Sequence, residues 1–263
     1  MDLKLTDKLA LVTGSTAGIG HAIAESLARE GARVIVNGRT QAAVDAAVAQ
    51  IKSATGAEVL GFAGDLGTAA AADELGRQFP DVEILVNNLG IFEAKQFEDI
   101  PDEDWMRFFE VNVLSGVRLA RLYLPSMKQR NWGRIIFISS ESGIQIPVEM
   151  IHYGTTKTAQ LAVARGLAES VAGTGITVNS VLPGPTKSRG VKDFVESLAK
   201  ADGKTFEQAE AEFFLTARPT SLIKRFAAPE EVASLVTYIA SPLASATTGA
   251  ALRVDGGIVK SLF

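Results

Sequence analysis

Tyr153 and Lys157 stand one helical turn apart, and Ser140 lies thirteen residues upstream at the end of an apolar run, IIFISS. Residues i and i+4 share a helix face, so a phenol and an ammonium can sit side by side, with a hydroxyl brought to them from a neighbouring strand. A free tyrosine has a pKa of about 10, too high for efficient base catalysis near neutrality, and a nearby cation favours its phenolate. Such a trio can pass a proton to or from an alcohol or a carbonyl, which makes the chain a candidate enzyme. Acid-base groups alone do not separate a reductase from a lyase. That distinction turns on whether the chain also seats an electron-pair carrier.

A seat of that kind lies at the first strand-to-helix junction, Thr13-Gly14-Ser15-Thr16-Ala17-Gly18-Ile19-Gly20. Glycines let the backbone turn sharply and approach a pyrophosphate, and the helix that follows presents free N–H groups and the positive end of its dipole. The spacing is G-x-x-x-G-x-G rather than G-x-G-x-x-G. Its context carries the signal: an apolar strand precedes it, an amphipathic helix ending at Gly31 follows it, and both belong to the first βαβ unit.

The elements that must position these residues read as an alternation. Strand-like runs occur at 9–13, 33–37, 58–62, 84–87, 134–139, 176–182 and 251–254. Between most of them lie segments with helical spacing, at 19–30, 41–53, 69–79, 102–130, 152–172 and 229–240. The alternation predicts a doubly wound α/β fold, a parallel sheet with helices on both faces, in a single domain. Several strands are apolar at nearly every position, as strands covered on both sides should be. One irregular stretch, 186–225, mixes charged residues with Val191, Phe194, Val195, Leu198, Phe206, Phe213, Phe214 and Leu215. Its length and apolar spacing predict one or two short helices forming a substrate lid.

With 263 residues, 47% of them hydrophobic, the chain can bury one large core. A net charge of -4 and no basic block argue against nucleic acid as a partner. The absence of cysteine excludes disulfides, thiolate catalysis and cysteine-based zinc sites. His21 and His152 are far apart and neither lies in an HExxH pattern, so no metal site is expected. No apolar run reaches membrane-spanning length, and Asp2 and Asp7 precede the first apolar stretch. The expectation is a soluble, unprocessed, cytoplasmic protein with no membrane partner.

Thr13-Gly14-x-x-x-Gly18-Ile19-Gly20, Asn87-Asn88-Leu89-Gly90, Asn112, Ser140, Tyr153-x-x-x-Lys157 and Pro183-Gly184 occur in the order and approximate spacing of the short-chain dehydrogenase/reductase family, which the chain resembles over essentially its whole length. The resemblance implies a Rossmann-type domain with a seven-stranded parallel sheet and NAD(P)-dependent oxidation or reduction. It assigns the catalytic set to Asn112, Ser140, Tyr153 and Lys157. Tyr153 would give its proton to a carbonyl oxygen as hydride arrives from the nicotinamide, and Ser140 would orient that oxygen. Lys157 would reach the cofactor ribose, and Asn112 would bend its helix and hold a water leading from Lys157 to solvent.

For the cofactor, the resemblance points to Gly14, Ser15, Thr16, Gly18, Ile19 and Gly20 at the pyrophosphate, Asp65 and Leu66 at the adenine, and Asn88 and Gly90 along its length. Pro183, Gly184 and Thr186 would border the nicotinamide. Leu89 departs from the usual alanine, which bears on local packing.

The second strand bears on cofactor choice. NAD-specific sites place an acidic residue about twenty positions past the glycine loop, where it holds the ribose hydroxyls. Here that neighbourhood is Gly38-Arg39. A guanidinium can grip a 2′-phosphate that a carboxylate would repel, so NADP(H) is preferred and NAD(H) remains possible.

Gln145, Glu149 and Met150 are candidate substrate contacts, His152 is a candidate contact or a structural residue, and no charged cluster is evident. The substrate expectation is therefore a mostly apolar ketone, 3-oxoacyl compound or secondary alcohol. A non-catalytic dinucleotide-sensing protein and an NAD-dependent alcohol or sugar dehydrogenase are the alternatives. A lyase of the same architecture normally gives up the nucleotide loop, which is present here. Small residues on the outer faces of the helix over 152–172, among them Ala159, Ala162, Ala164, Gly166 and Ala168, permit close approach to the sheet or to another subunit, and the resemblance implies pairing of such helices across two-fold axes, as a homotetramer or, next, a dimer.

Overall fold

A computed structural model describes residues 2–187 and 204–262. Seven parallel strands form one sheet in the order β3-β2-β1-β4-β5-β6-β7. They are β1 (Leu9–Val12), β2 (Arg33–Gly38), β3 (Val59–Ala63), β4 (Ile84–Asn87), β5 (Gly133–Ile138), β6 (Ile176–Pro183) and β7 (Ala251–Val254). The helices are α1 (Gly18–Arg29), α2 (Gln41–Thr55), α3 (Ala69–Gln78), α4 (Asp102–Phe109), α5 (Ser115–Gln129), α6 (Ile151–Ser170), α7 (Phe206–Thr216) and α8 (Pro229–Ala240).

Side chains alternate across a strand, so each strand feeds two cores. Ala10, Val12, Val34, Val36, Ile84, Val86 and Ile136 face α1, α2 and α8. Leu11, Ile35, Leu85, Ile135, Phe137 and Val178 face α3, α5 and α6. Coverage on both faces explains why β2, β4, β5 and β6 are buried along nearly their whole lengths. Arg134 is an exception in character, a buried guanidinium at the start of β5. It donates to the carbonyls of Gly133, Gly175 and Ser241 and lies over Trp132. The carbonyls satisfy a group that burial pushes down to about 10.

The helix predicted at 102–130 is two helices joined by a π-turn at Glu110–Leu114. Such widened turns cluster at functional sites. On α6, Ala164 and Ala168 are packed into the core rather than lying on the outer face, which leaves Ala162 and Gly166 as its exposed small residues. In the segment predicted as a lid, α7 is one of the expected short helices and is opened by a Thr205–Gln208 capping box. Phe213, Phe214 and Phe226 pack together beneath it. Val191, Phe194, Val195 and Leu198 lie outside the described residues. Among the described residues no helix is long and apolar enough to cross a membrane.

Candidate active site

Strand order reverses between β1 and β4, and above the carboxyl ends of the strands at such a switch point a crevice forms. Here it is a cleft of roughly 670 Å³ whose walls come from the glycine loop, the segments after β4, β5 and β6, the start of α6, and α7 with its sequel. Of the residues singled out from the sequence, Gly18, Ile19, Gly20, Asn88, Gly90, Ser140, Glu149, Met150, Tyr153, Lys157, Pro183, Gly184 and Thr186 line it.

The glycine loop is built for close approach. Gly14 and Gly18 take left-handed conformations, with φ of 59° and 58°. A Cβ on Gly20 would sit 2.5 Å from the Gly14 carbonyl oxygen and 2.5 Å from Asn88 Nδ2. Asn88 in turn donates to the carbonyls of Thr13 and Gly14, tying the segment after β4 to the loop. No side chain caps the first N–H groups of α1, which open onto the cleft. Gly20→Ala should therefore force the loop apart. Overpacking of this kind costs roughly 1–3 kcal/mol, so titration with NADPH should show affinity down at least tenfold, and thermal unfolding should shift to lower temperature.

Other expected cofactor residues contribute differently. Ser15 is fully buried; its hydroxyl donates to the Val12 carbonyl and accepts from the Asn37 N–H, so it shapes the loop from behind. Thr16 packs toward Gly38, where a Cβ would meet its Cγ2 at 2.4 Å. Arg39 is exposed at the end of β2, with no ion pair among the described residues. Asp65 accepts from the Gly67 N–H in a tight turn while Thr68, not Asp65, caps α3. Leu66 is buried in the core, leaving only its backbone for a ligand. Leu89 packs into the same core beside Gly14. Thr186 donates its hydroxyl to the Gly184 carbonyl.

The proton-transfer residues converge. Tyr153 and Ser140 line the same cleft, and the Tyr153 ring meets Phe92 edge-on at 6.4 Å. Ser139 turns away and donates to the Lys157 carbonyl, so Ser140 is the serine that faces the tyrosine. Lys157 Nζ lies 5.6 Å from the Tyr153 ring centre and donates to the Ile138 carbonyl at 2.9 Å and to Gln160 Oε1 at 3.3 Å. Burial pushes this ammonium down to about 8. The phenol moves opposite to the expected ionisation: burial, then the Glu141 carboxylate, push it well above the usual tyrosine range against Ser140 and Arg218.

Asn112 sits in the π-turn. Its Oδ1 accepts from the Ile91 N–H at 2.7 Å, and its Nδ2 donates to the Ile91 carbonyl and to Thr156 Oγ1. Its own carbonyl accepts from Gln160 Nε2 at 2.6 Å. Gln160 thus bridges Asn112 and Lys157 with one side chain. Sequence spacing gave no sign of this residue beyond its place one turn after Lys157.

The substrate end corrects the expectation that no charged cluster lies there. Glu141 and Arg218, 77 positions apart, form a buried ion pair at 3.1 Å, and Arg218 also lies 3.6 Å from Glu149. Ser140 Oγ donates to Glu141 Oε2 at 2.6 Å. Gln145 is exposed and does not line the cleft. His152 is buried against Phe108 at 4.1 Å and Trp105 at 6.1 Å, a joint between α6 and α4, and burial lowers its pKa.

A doubly wound sheet, a glycine loop at its switch point and a Ser-Tyr-Lys cluster facing that loop define a dinucleotide-dependent oxidoreductase. The chain belongs to the short chain dehydrogenase family, whose pattern it matches over residues 8–199, and it is an enzyme acting on CH–OH or carbonyl groups with NAD(P)(H). Among its relatives is an uncharacterized oxidoreductase, YvaG, of Bacillus subtilis (strain 168), 52% identical over the full length of both chains. A D-beta-hydroxybutyrate dehydrogenase of Cupriavidus necator is 37% identical, with 97% of this chain and 99% of that one covered. The crystal structure of L-sorbose reductase from Gluconobacter frateurii, complexed with NADPH and L-sorbose, superposes with a TM-score of 0.93 at 33% identity over all of both chains.

Proposed function

We propose that this chain is an NADP(H)-dependent reductase of ketones or 3-oxoacyl-type compounds, able to run in reverse on secondary alcohols, with Tyr153 as the acid-base group. The observation that carries this reading is that Tyr153, Ser140 and Lys157 line the same cleft that the glycine loop walls on its other side. The dinucleotide fits the residues present: Gly18 and Gly20 bring bare backbone to the cleft wall, where no side chain caps the first N–H groups of α1, and a Cβ on Gly90 would lie only 3.4 Å from Lys157 Nζ. Gly18, Ile19, Gly20, Asn88, Gly90, Pro183, Gly184 and Thr186 would hold it.

When bound, the nicotinamide supplies or takes up a hydride, two electrons with one proton. In reduction the carbonyl π bond breaks, the carbon gains that hydride, and Tyr153 Oη gives its proton to the oxygen, leaving an alcohol. Ser140 orients that oxygen and Lys157 stabilises the phenolate left behind, which regains its proton from solvent. A phenol that holds its proton through neutrality suits the reductive direction.

Gly38 and Arg39 support NADP(H). Thr16 occupies the space that any side chain at position 38 would need, so an acidic residue there would have to displace it, and Arg39 stands exposed beside it to pair with a 2′-phosphate. The NADPH complex of the L-sorbose reductase is in keeping with this. Fluorescence titration should show NADPH bound more tightly than NADH. Arg39→Ala should weaken NADPH about tenfold while leaving NADH nearly unchanged, since one charge-assisted pair is worth roughly 1.5–3 kcal/mol. An NADH preference in the wild type would sink the reading of Arg39. We also propose that the described part of the predicted lid covers the substrate, since Phe213, Ala217 and Arg218 line the cleft. The assembly we propose is a homotetramer, to be checked by light scattering.

A further inference from the structure

We infer that the cleft selects an uncharged carbonyl compound carrying a hydroxyl on the carbon next to the carbonyl, and that Glu141 is the residue that reads this hydroxyl. The inference rests on the carbonyl-reductase reading above and names its substrate class. It starts from the single proton of the Ser140 hydroxyl. That proton is given to Glu141 Oε2, 2.6 Å away, so the serine has no second proton for a group in the cleft. A substrate carbonyl also offers only lone pairs. A plain ketone therefore meets a serine with nothing to donate, and has no donor of its own to exchange.

A hydroxyl beside the carbonyl changes this. It donates to Glu141 Oε2 in place of Ser140, and the serine proton turns to the carbonyl oxygen that Tyr153 protonates. The Ser140 and Glu141 oxygens are as close as two oxygens on adjacent carbons, so one small hydroxyketone can address both. Glu141 is buried and fixed from its far side by Arg218 Nε at 3.1 Å, which keeps Oε2 pointing at the serine. A site built to bond a substrate hydroxyl discriminates strongly against analogues lacking it, because its buried acceptor is then left without a donor.

Charge excludes anions from the same place. Four charged residues line the described cleft: Glu141, Glu149, Lys157 and Arg218. Arg218 already serves two carboxylates, and Lys157 points at the Ile138 carbonyl and Gln160. Among the described residues no cation lining the cleft remains for a substrate carboxylate, which would bring a third acid to one guanidinium.

Three probes of one shape test this: 1-hydroxy-2-butanone, 3-pentanone, in which a methyl replaces the hydroxyl, and 2-oxobutanoate, in which a carboxylate replaces the hydroxymethyl group. Turnover with NADPH and protection of the NADPH-loaded protein against thermal unfolding are both measured. The expected kcat/KM for the hydroxyketone exceeds that for 3-pentanone by about tenfold, with 2-oxobutanoate lower still. Glu141→Gln should shrink the ratio of hydroxyketone to ketone about tenfold and raise 2-oxobutanoate relative to both. Glu149→Gln, at a half-exposed position that puts the fold at little risk, should raise 2-oxobutanoate relative to both neutral probes. Equal rates on the first two probes, or a preference for 2-oxobutanoate, would overturn the inference and leave carbonyl reduction standing. Oxidation of neither NADPH nor NADH by any probe, with the hydroxyketone still protecting best, would support the selectivity and overturn the reductase reading instead.

Discussion

Replacing Tyr153 with phenylalanine is expected to lower kcat for carbonyl reduction by about a thousandfold, within the range general acid catalysis contributes, while NADPH affinity stays within about threefold of wild type. The substitution removes one oxygen. The ring keeps its edge contact with Phe92, the helix keeps its Lys157, and the glycine loop is untouched. What disappears is the phenolic proton that α6 brings into the cleft. Ser140 does not replace it, because its proton is already given to Glu141. Stopped-flow reduction together with cofactor titration separates the two quantities, and unchanged turnover would remove Tyr153 from the mechanism. Because burial and Glu141 hold the phenol above the usual tyrosine range, its ionisation should not limit reduction between pH 6 and 8. An alkaline fall of the rate belongs to Lys157 instead, near the value of about 8 to which burial has brought it.

Lys157→Met is expected to move activity and stability in opposite directions. Turnover should fall by about a hundredfold or more, since the charge that stabilises the Tyr153 phenolate is gone. The fold should gain. Bringing the ammonium from 10.5 to about 8 means that the charged native state is disfavoured by ~3 kcal/mol at neutral pH. Methionine removes that penalty but leaves the Ile138 carbonyl and Gln160 Oε1 without their donor, a loss of roughly 1–3 kcal/mol. The net is a gain of about 1 kcal/mol, or a Tm roughly 2–4 °C higher for a chain of this size.

The sign in the wild type follows from the lowered pKa. Below about 8 both states carry the proton and the penalty is fully present. Between there and 10.5 the unfolded chain still binds a proton that the native one has lost, so stability rises with pH across that window. Calorimetry of both forms without cofactor at pH 7 and pH 9.5 should show the methionine variant's advantage shrinking. An advantage that does not change with pH would show that Lys157 is not the group that burial strains.

The strands were legible because two-sided coverage leaves an unmistakable apolar run, and the predicted runs fall within a residue or two of β1 to β7. The glycine loop was legible because its residues are contiguous. Glu141 and Arg218 were not, since their meeting depends on how the chain returns from α7 over the cleft, and no periodicity encodes a pair 77 residues apart. Gln160 looked like one more residue of a long helix; only the fold brings the Asn112 carbonyl to its amide. On α6 small residues run all the way round, so Ala164 and Ala168 could not be told from Ala162 and Gly166 until the sheet was in place. A bend at Asn112 was implied by the resemblance, yet the π-turn around it was not legible, because widening a turn leaves the apolar pattern on either side nearly intact.

That turn stores one residue. An α-helix advances about 100° per residue, and a π-turn spends one residue more on about the same rotation, so α4 and α5 keep nearly the phase of an unbroken helix. Deleting one residue from 110–114 would leave Trp105 and Phe108 on His152 but close the widened turn at Asn112, whose side chain holds both the N–H and the carbonyl of Ile91. In a surface loop the same deletion is absorbed by slack. Here the length of the chain is itself part of the site, because the added residue opens the helix where the segment after β4 docks.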